Sequence, residues 1–240
     1  MPQGRLFVGT SGFAYKEWKP EFYPEDLKNT QMLEYYSQRF PSVEINNTFY
    51  RMPTEKVLQQ WTTQTPEGFL LTLKASQRIT HHSRLKDADE LVSYFLGVAR
   101  ALEDRLGVVL FQCPPNLKHD QERLESFVAS LPGRPYRFAM EFRHDSWATD
   151  EVFDLLAGNG IAWCVSDTRE KPAPMRQTSK KHVYLRLRGV DYSDAELDTW
   201  FSRVQEALDS GADAFVYFKH EDDPSGIRYA RRMLEELSGG

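Results

Sequence analysis

Carboxylates and a larger set of cations stand where strand-like runs end, and their types set the chemistry open to the chain. Glu44 lies in SVEIN (42–46), Glu141 and Arg143 in RFAMEFR (137–143), and Asp167 ends AWCVSD (162–167). Lys74 falls near the end of FLLTLKA (69–75), with Arg186 and Arg188 in HVYLRLR (182–188). Carboxylates in pairs can act as a general acid and base, or hold a hard divalent cation through oxygen. Zinc would ask for more histidine, and the only adjacent histidines, His81 and His82, lack HExxH spacing. Lys74, Arg143 and Arg186 would also repel a metal, so acid–base work by Glu44, Glu141 and Asp167 is preferred to a metal centre. No other cofactor is called for.

Lys74 has two readings, a Schiff-base nucleophile or an anchor for an anion. Cations around it would lower its pKa, but three nearby carboxylates would keep it protonated, which favours the anchor. The arginines can grip phosphate or carboxylate in forked pairs, or bridge to Glu141 and Asp167. A mixture is expected, with one arginine positioning an acid and another left for a ligand. The loop RITHHSRLK (78–86) is cationic and contains no acid. Arg78 is a ligand candidate there, and His81 a proton carrier because histidine titrates near neutrality. Tyr15, Trp18, Phe22 and Tyr23 follow the first strand, Phe49 and Tyr50 the second, and Trp147 ends EFRHDSW. They offer either stacking surfaces for a sugar or base, or packing of loops onto the scaffold.

The scaffold that must position these residues is legible as an alternation. Strand-like runs occur at 6–11, 42–47, 69–75, 107–113, 137–143, 162–167, 182–188 and 214–220. Amphipathic stretches at 29–40, 54–64, 87–104, 120–130, 151–158, 194–209 and 226–237 separate or follow most of them. Eight strands with helical crossovers predict a parallel sheet, and without a glycine fingerprint after the first strand a TIM-like (β/α)₈ barrel over 1–240 is the expected fold. The sixth helix is expected to be replaced by a proline-broken basic loop at 168–181. Strand parity puts Glu44 and Asn46 on one face, likewise Thr72 and Lys74, Glu141 and Arg143, and Tyr184, Arg186 and Arg188. Asp167 is placed with them, and of Lys219 and His220 only one should point inward. The active face of such barrels is the carboxyl end of the strands, where the charges collect. The alternative is a mutually neutralising ion network that plugs the mouth.

A net charge of -5 gives no global attraction to nucleic acid or anionic lipid. The two cysteines, Cys113 and Cys164, lie in apolar runs and form neither a disulfide framework nor a zinc set, which fits a reducing cytoplasm. No signal-like core follows Met1, and no run of about 20 apolar residues marks a membrane span.

The segments GTSGFAYKEW, EFYPEDL, VEINNTFYRMP, LKASQRITHHSRL, QCPPNL, EFRHDSW and YLRLRG follow one another in this order. In that order they resemble the domain of unknown function 72 family, over residues 6 to about 220. The resemblance implies a TIM-like barrel and no established reaction. It also implies departures at Phe13, Cys113, Arg188 and Lys219-His220, where the family commonly has Trp, Leu, His and paired Asn. The expected function is an enzyme of hydrolase, lyase or isomerase type acting on a small phosphorylated or carboxylated, sugar-like molecule. Nucleic-acid binding with phosphodiester cleavage, and a non-catalytic ligand-binding barrel, are the competing expectations.

Overall fold

The computed structural model describes residues 3–133, 135–168, 174–220 and 222–237. Strands β1 (Leu6–Thr10), β2 (Ser42–Ile45), β3 (Leu70–Lys74), β4 (Leu106–Gln112), β5 (Phe138–Glu141), β6 (Ala162–Asp167), β7 (His182–Leu187) and β8 (Asp213–Phe218) share one sheet. Its order is β1-β8-β7-β6-β5-β4-β3-β2, and every ladder is parallel. Helices α1 (Met32–Ser37), α2 (Asn47–Tyr50), α3 (Glu55–Gln64), α4 (Asp89–Ala99), α5 (Gln121–Ser130), α6 (Asp150–Gly158) and α7 (Asp194–Asp209) lie in the crossovers, and α8 (Ser225–Leu237) follows the last strand. The chain is therefore a TIM-like α/β fold. Among the described residues no helix lies between β6 and β7, as the proline-broken segment predicts. A cavity of about 300 Å³ occupies that place, lined by Trp163, Val165, Val183 and Leu185 of the barrel and Arg203 and Glu206 of α7.

Local chemistry starts the helices where the strands need them. Thr54, Asp120 and Thr149 each accept a hydrogen bond from the backbone three residues on. Ser193 and Glu196 form a reciprocal capping box at α7. The strands sort their side chains by parity. Val43, Ile45, Leu71, Leu73, Val109, Phe111, Met140, Val165, Leu185, Val216 and Phe218 face the helix layer. Phe7, Leu70, Val108, Leu110, Ala139, Ala162, Cys164, Tyr184, Phe215 and Tyr217 fill the lumen. Each large side chain so buried is worth about 1.5–3 kcal/mol relative to exposure. Above this apolar floor lies a hydroxyl layer, where Tyr217 Oη is 2.7 Å from both Ser42 Oγ and Thr72 Oγ1. The charged groups come above that.

The barrel is nearly closed, and the join between β1 and β2 is its thinnest part. One parallel bridge, Ser11 with Glu44, and the bond from Gly12 N to Glu44 O (2.8 Å) span it. Lower down, Tyr36 of α1 inserts its hydroxyl between the strands. The Tyr36 oxygen accepts from Thr10 N (2.7 Å) and Thr10 Oγ1 (2.9 Å), and its proton goes to Ser42 O (3.2 Å). Gly9 permits this approach, because a Cβ there would sit 2.0 Å from Ser42 O and 2.6 Å from Tyr36 Oη. Tyr36→Phe removes the hydroxyl while keeping the ring, leaving a buried N–H and a buried carbonyl unmatched. Denaturant unfolding is expected to show a loss of about 1–3 kcal/mol, the usual cost of stranding such groups.

Candidate functional site

Arg186 is the centre of the barrel mouth. Its side chain is 1% exposed, and the parity of β7 points it inward above Tyr184. Nε and Nη2 donate to Glu44 Oε1 at 3.2 and 2.8 Å, while Nη1 donates to Glu141 Oε2 at 2.6 Å. Other donors also engage both acids. Glu44 accepts from Ser11 Oγ and Tyr184 Oη, each at 2.5 Å. Glu141 accepts from Gln112 Nε2 at 2.7 Å and Arg188 Nη2 at 3.1 Å. Burial alone would make Arg186 easier to deprotonate, but Glu44 and Glu141 outweigh it and hold the guanidinium charged more firmly than usual.

Lys74, the last residue of β3, is 7% exposed and makes no ion pair among the described residues. Its ammonium lies 4.0 Å from the centroid of the Phe49 ring, a cation–π contact. Its pKa is lowered to about 8, first by burial, then by Arg186, with Lys219 acting the same way and Glu44 and Glu141 opposing. His81 meets the same Phe49 ring edge-on at 4.9 Å, and its Nδ1 is 2.9 Å from Thr80 Oγ1. Burial, Lys74, Arg143 and His82 lower its pKa below the ordinary 6.5, so its imidazole is neutral at pH 7. Asn46 Nδ2 donates to Ser11 Oγ (2.9 Å) and Tyr15 Oη to Ser11 O (3.1 Å). Both residues line a cavity of about 170 Å³ beside the cluster.

The structure therefore brings Glu44, Asn46, Lys74, His81, Glu141, Arg186 and Arg188 to one end of the barrel, with Arg143 and Arg78 exposed nearby. It separates three others from them. Asp167 pairs in register with Leu187, not Arg186, and so faces the helix layer, where Tyr192 Oη donates to it at 2.5 Å. The inward residue of β6 is Ser166. Trp18 and Trp147 are fully buried and donate their indole N–H to Asp223 O (3.1 Å) and Leu117 O (2.7 Å), so neither offers a stacking face. Tyr50, 71% exposed, stands at the rim beside Phe49. Lys219 contributes to the field at Lys74, whereas His220 donates its Nε2–H to Gly189 O (2.7 Å) and packs on Tyr229. Ser11 and Gln112 escape a reading that follows charge, although both continue the inward parity of their strands. The first amide of α8 is taken by Asp223 (2.6 Å). Residues 169–173 of the basic loop, and Glu221, lie outside the described residues. Among those described, no three His, Cys, Asp or Glu side chains converge as a metal site requires.

Two variants test these electrostatics. Arg186→Met leaves the buried Glu44 without a counterion and Glu141 with Arg188 alone, and is expected to cost about 3–5 kcal/mol in urea unfolding. Lys74→Met should do the opposite. Between pH 8 and 10.5 the unfolded chain binds more protons at Lys74 than the native state, so native stability rises with pH there. At pH 7 the buried charge is a full penalty, and Lys74→Met is expected to gain up to roughly 3 kcal/mol, vanishing towards high pH. A gain independent of pH would rule out the buried ammonium charge as its source.

No helix among the described residues is long and apolar enough to cross a membrane. Similarity to known proteins covers almost the whole chain. A DUF72 family protein from Thermotoga maritima MSB8 superposes with a TM-score of 0.86 at 31% identity, covering 98% of this chain and 99% of that one. A DUF72 family protein from Enterococcus faecalis V583, at 17% identity and a TM-score of 0.80, shares the fold. UPF0759 protein YunF of Bacillus subtilis is 24% identical over 97% of this chain and 94% of its own length. UPF0759 protein YecE of Escherichia coli is 34% identical over 58% of this chain and 48% of its own. With the family model described as protein of unknown function DUF72 matching residues 7–239, the chain belongs to the DUF72 family.

Proposed function

We propose that the barrel mouth binds a small phosphorylated or carboxylated molecule of sugar-like polarity, and that the protein is an enzyme acting on it. One observation carries this reading. The two acids of the cluster are already paired with Arg186 and its neighbours, whereas Lys74, Arg78 and Arg143 make no ion pair among the described residues. The field left over at the mouth is therefore positive, and it lies over a partly dry site where charge pairing is strong. Arg188 is 17% exposed and holds Glu141 Oε1 by a single hydrogen bond. An anion that draws Arg188 to itself would release that oxygen as a base, with His81 as its neutral proton-carrying counterpart. Glu44, with no exposed surface, serves to position Arg186. Tyr15 and Asn46 at the adjacent cavity suit hydroxyl groups of the ligand. Nucleic-acid binding is the weaker alternative, since the burial of Trp18 and Trp147 removes two of its stacking surfaces.

Calorimetric titration with a panel of sugar phosphates against the corresponding neutral sugars tests the reading. Phosphates are expected to bind preferentially, and Arg143→Ala to weaken them about tenfold, the loss of one charge-assisted contact. Equal affinity for the neutral sugars would reject an anion site.

A further inference from the structure

We infer that Lys74 is a nucleophile that condenses with a carbonyl group of the bound anion, so that the substrate is a phosphorylated or carboxylated aldehyde or ketone. The inference rests on the anion reading and goes one step past it, from holding the ligand to bonding with it.

The sequence favours an anchor for Lys74 because three carboxylates stand near it. The structure weakens that reason. Asp167 is on the other face of β6. Glu44 is engaged by Ser11, Tyr184 and Arg186, and Glu141 by Gln112, Arg186 and Arg188. Among the described residues no carboxylate bonds the Lys74 ammonium. Its ammonium lies on an aromatic face, Phe49, and burial with the cations Arg186 and Lys219 outweighs the opposing pull of Glu44 and Glu141. A lysine desolvated and set beside cations has an amine form within reach at neutral pH, as imine chemistry requires. Its place at the carboxyl end of β3 fixes the nitrogen on a rigid element, and 7% exposure leaves an approach from the mouth while excluding most water. A dry site favours the dehydration step. His81, packed on the same ring, is neutral and available to carry the protons.

The step balances without an oxidant or reductant. The Lys74 amine attacks the carbonyl carbon, a C–N bond forms, and the carbonyl π pair moves to oxygen, which takes a proton. The carbinolamine then loses its hydroxyl as water, after a second proton transfer, as the nitrogen lone pair makes C=N. Counted from the ammonium, Lys–NH₃⁺ and R₂C=O give Lys–NH⁺=CR₂ and H₂O. The cationic imine draws electrons from the α carbon, so it serves loss of an α proton or scission of the α–β bond. This places the reaction among lyases or isomerases rather than simple hydrolyses.

The test incubates the full chain with dihydroxyacetone phosphate or pyruvate, adds sodium borohydride, and maps adducts by peptide mass spectrometry. Affinity for dihydroxyacetone phosphate and for glycerol 3-phosphate is measured in parallel. Expected is a reduced adduct on Lys74 in excess of any other lysine, lost in Lys74→Arg, whose circular dichroism reports whether it is folded. Binding of both phosphates with Lys74 unmodified overturns the imine and leaves the anion site standing. Failure of both phosphates to bind overturns the two together. A second measurement needs no ligand: labelling by 2,4,6-trinitrobenzenesulfonate should rise at Lys74 with a midpoint near pH 8. A midpoint shared with the surface lysines would also overturn the proposal.

Discussion

The guanidinium of Arg186, wedged between Glu44 and Glu141, is the interaction on which the mouth depends. Two acids buried as deeply as Glu44 and Glu141 could not both stay ionised unless a permanent cation lay between them. Arginine meets that need because its charge is not lost on burial and its fork reaches both carboxylates at once. The cost is specificity of position. Ser11 after β1, Glu44 on β2, Gln112 on β4, Glu141 on β5, and Tyr184 and Arg186 on β7 all have to be in register for the network to be satisfied. The network is thus both a site component and a test of correct barrel closure.

That pairing also explains why charge at the mouth is not simply summed. Counting residues gives a mixture of acids and a somewhat larger number of bases. Counting bonds shows that the acids are consumed within the lumen, while several bases are left facing outward. The functional character of the face therefore comes from which partners are already committed, a property of distances rather than of composition.

The fold was legible in the sequence because alternating apolar parity and amphipathic crossovers are local signals repeated eight times. Strand parity likewise found Glu44, Lys74, Glu141 and Arg186, each of which sits between outward-facing apolar side chains that fix its direction. Asp167 misled for a related reason. It ends a run, AWCVSD, that is buried on both faces, so polarity alone did not say which side it took. Trp18 and Trp147 were ambiguous because an indole has one polar atom, and only tertiary contacts reveal that each N–H is spent on a backbone carbonyl. Ser11 and Gln112 carry no charge, yet they complete the shells of the two acids. The commitment of Glu44 and Glu141 to Arg186 links residues more than 40 positions apart and leaves no local trace.

The join between β1 and β2 has a consequence beyond its strength. Elsewhere the cylinder is sewn by ladders of two or more residue pairs, but here it is a split ring whose clasp is one tyrosine hydroxyl and a single bridge. Ser11 and Glu44, which form that bridge, are also ligands of Arg186. Opening of the ring and loss of the charge network are therefore one event. Slow amide exchange at the neighbouring strands and an intact mouth should rise and fall together, so the lifetime of the site is set by its clasp.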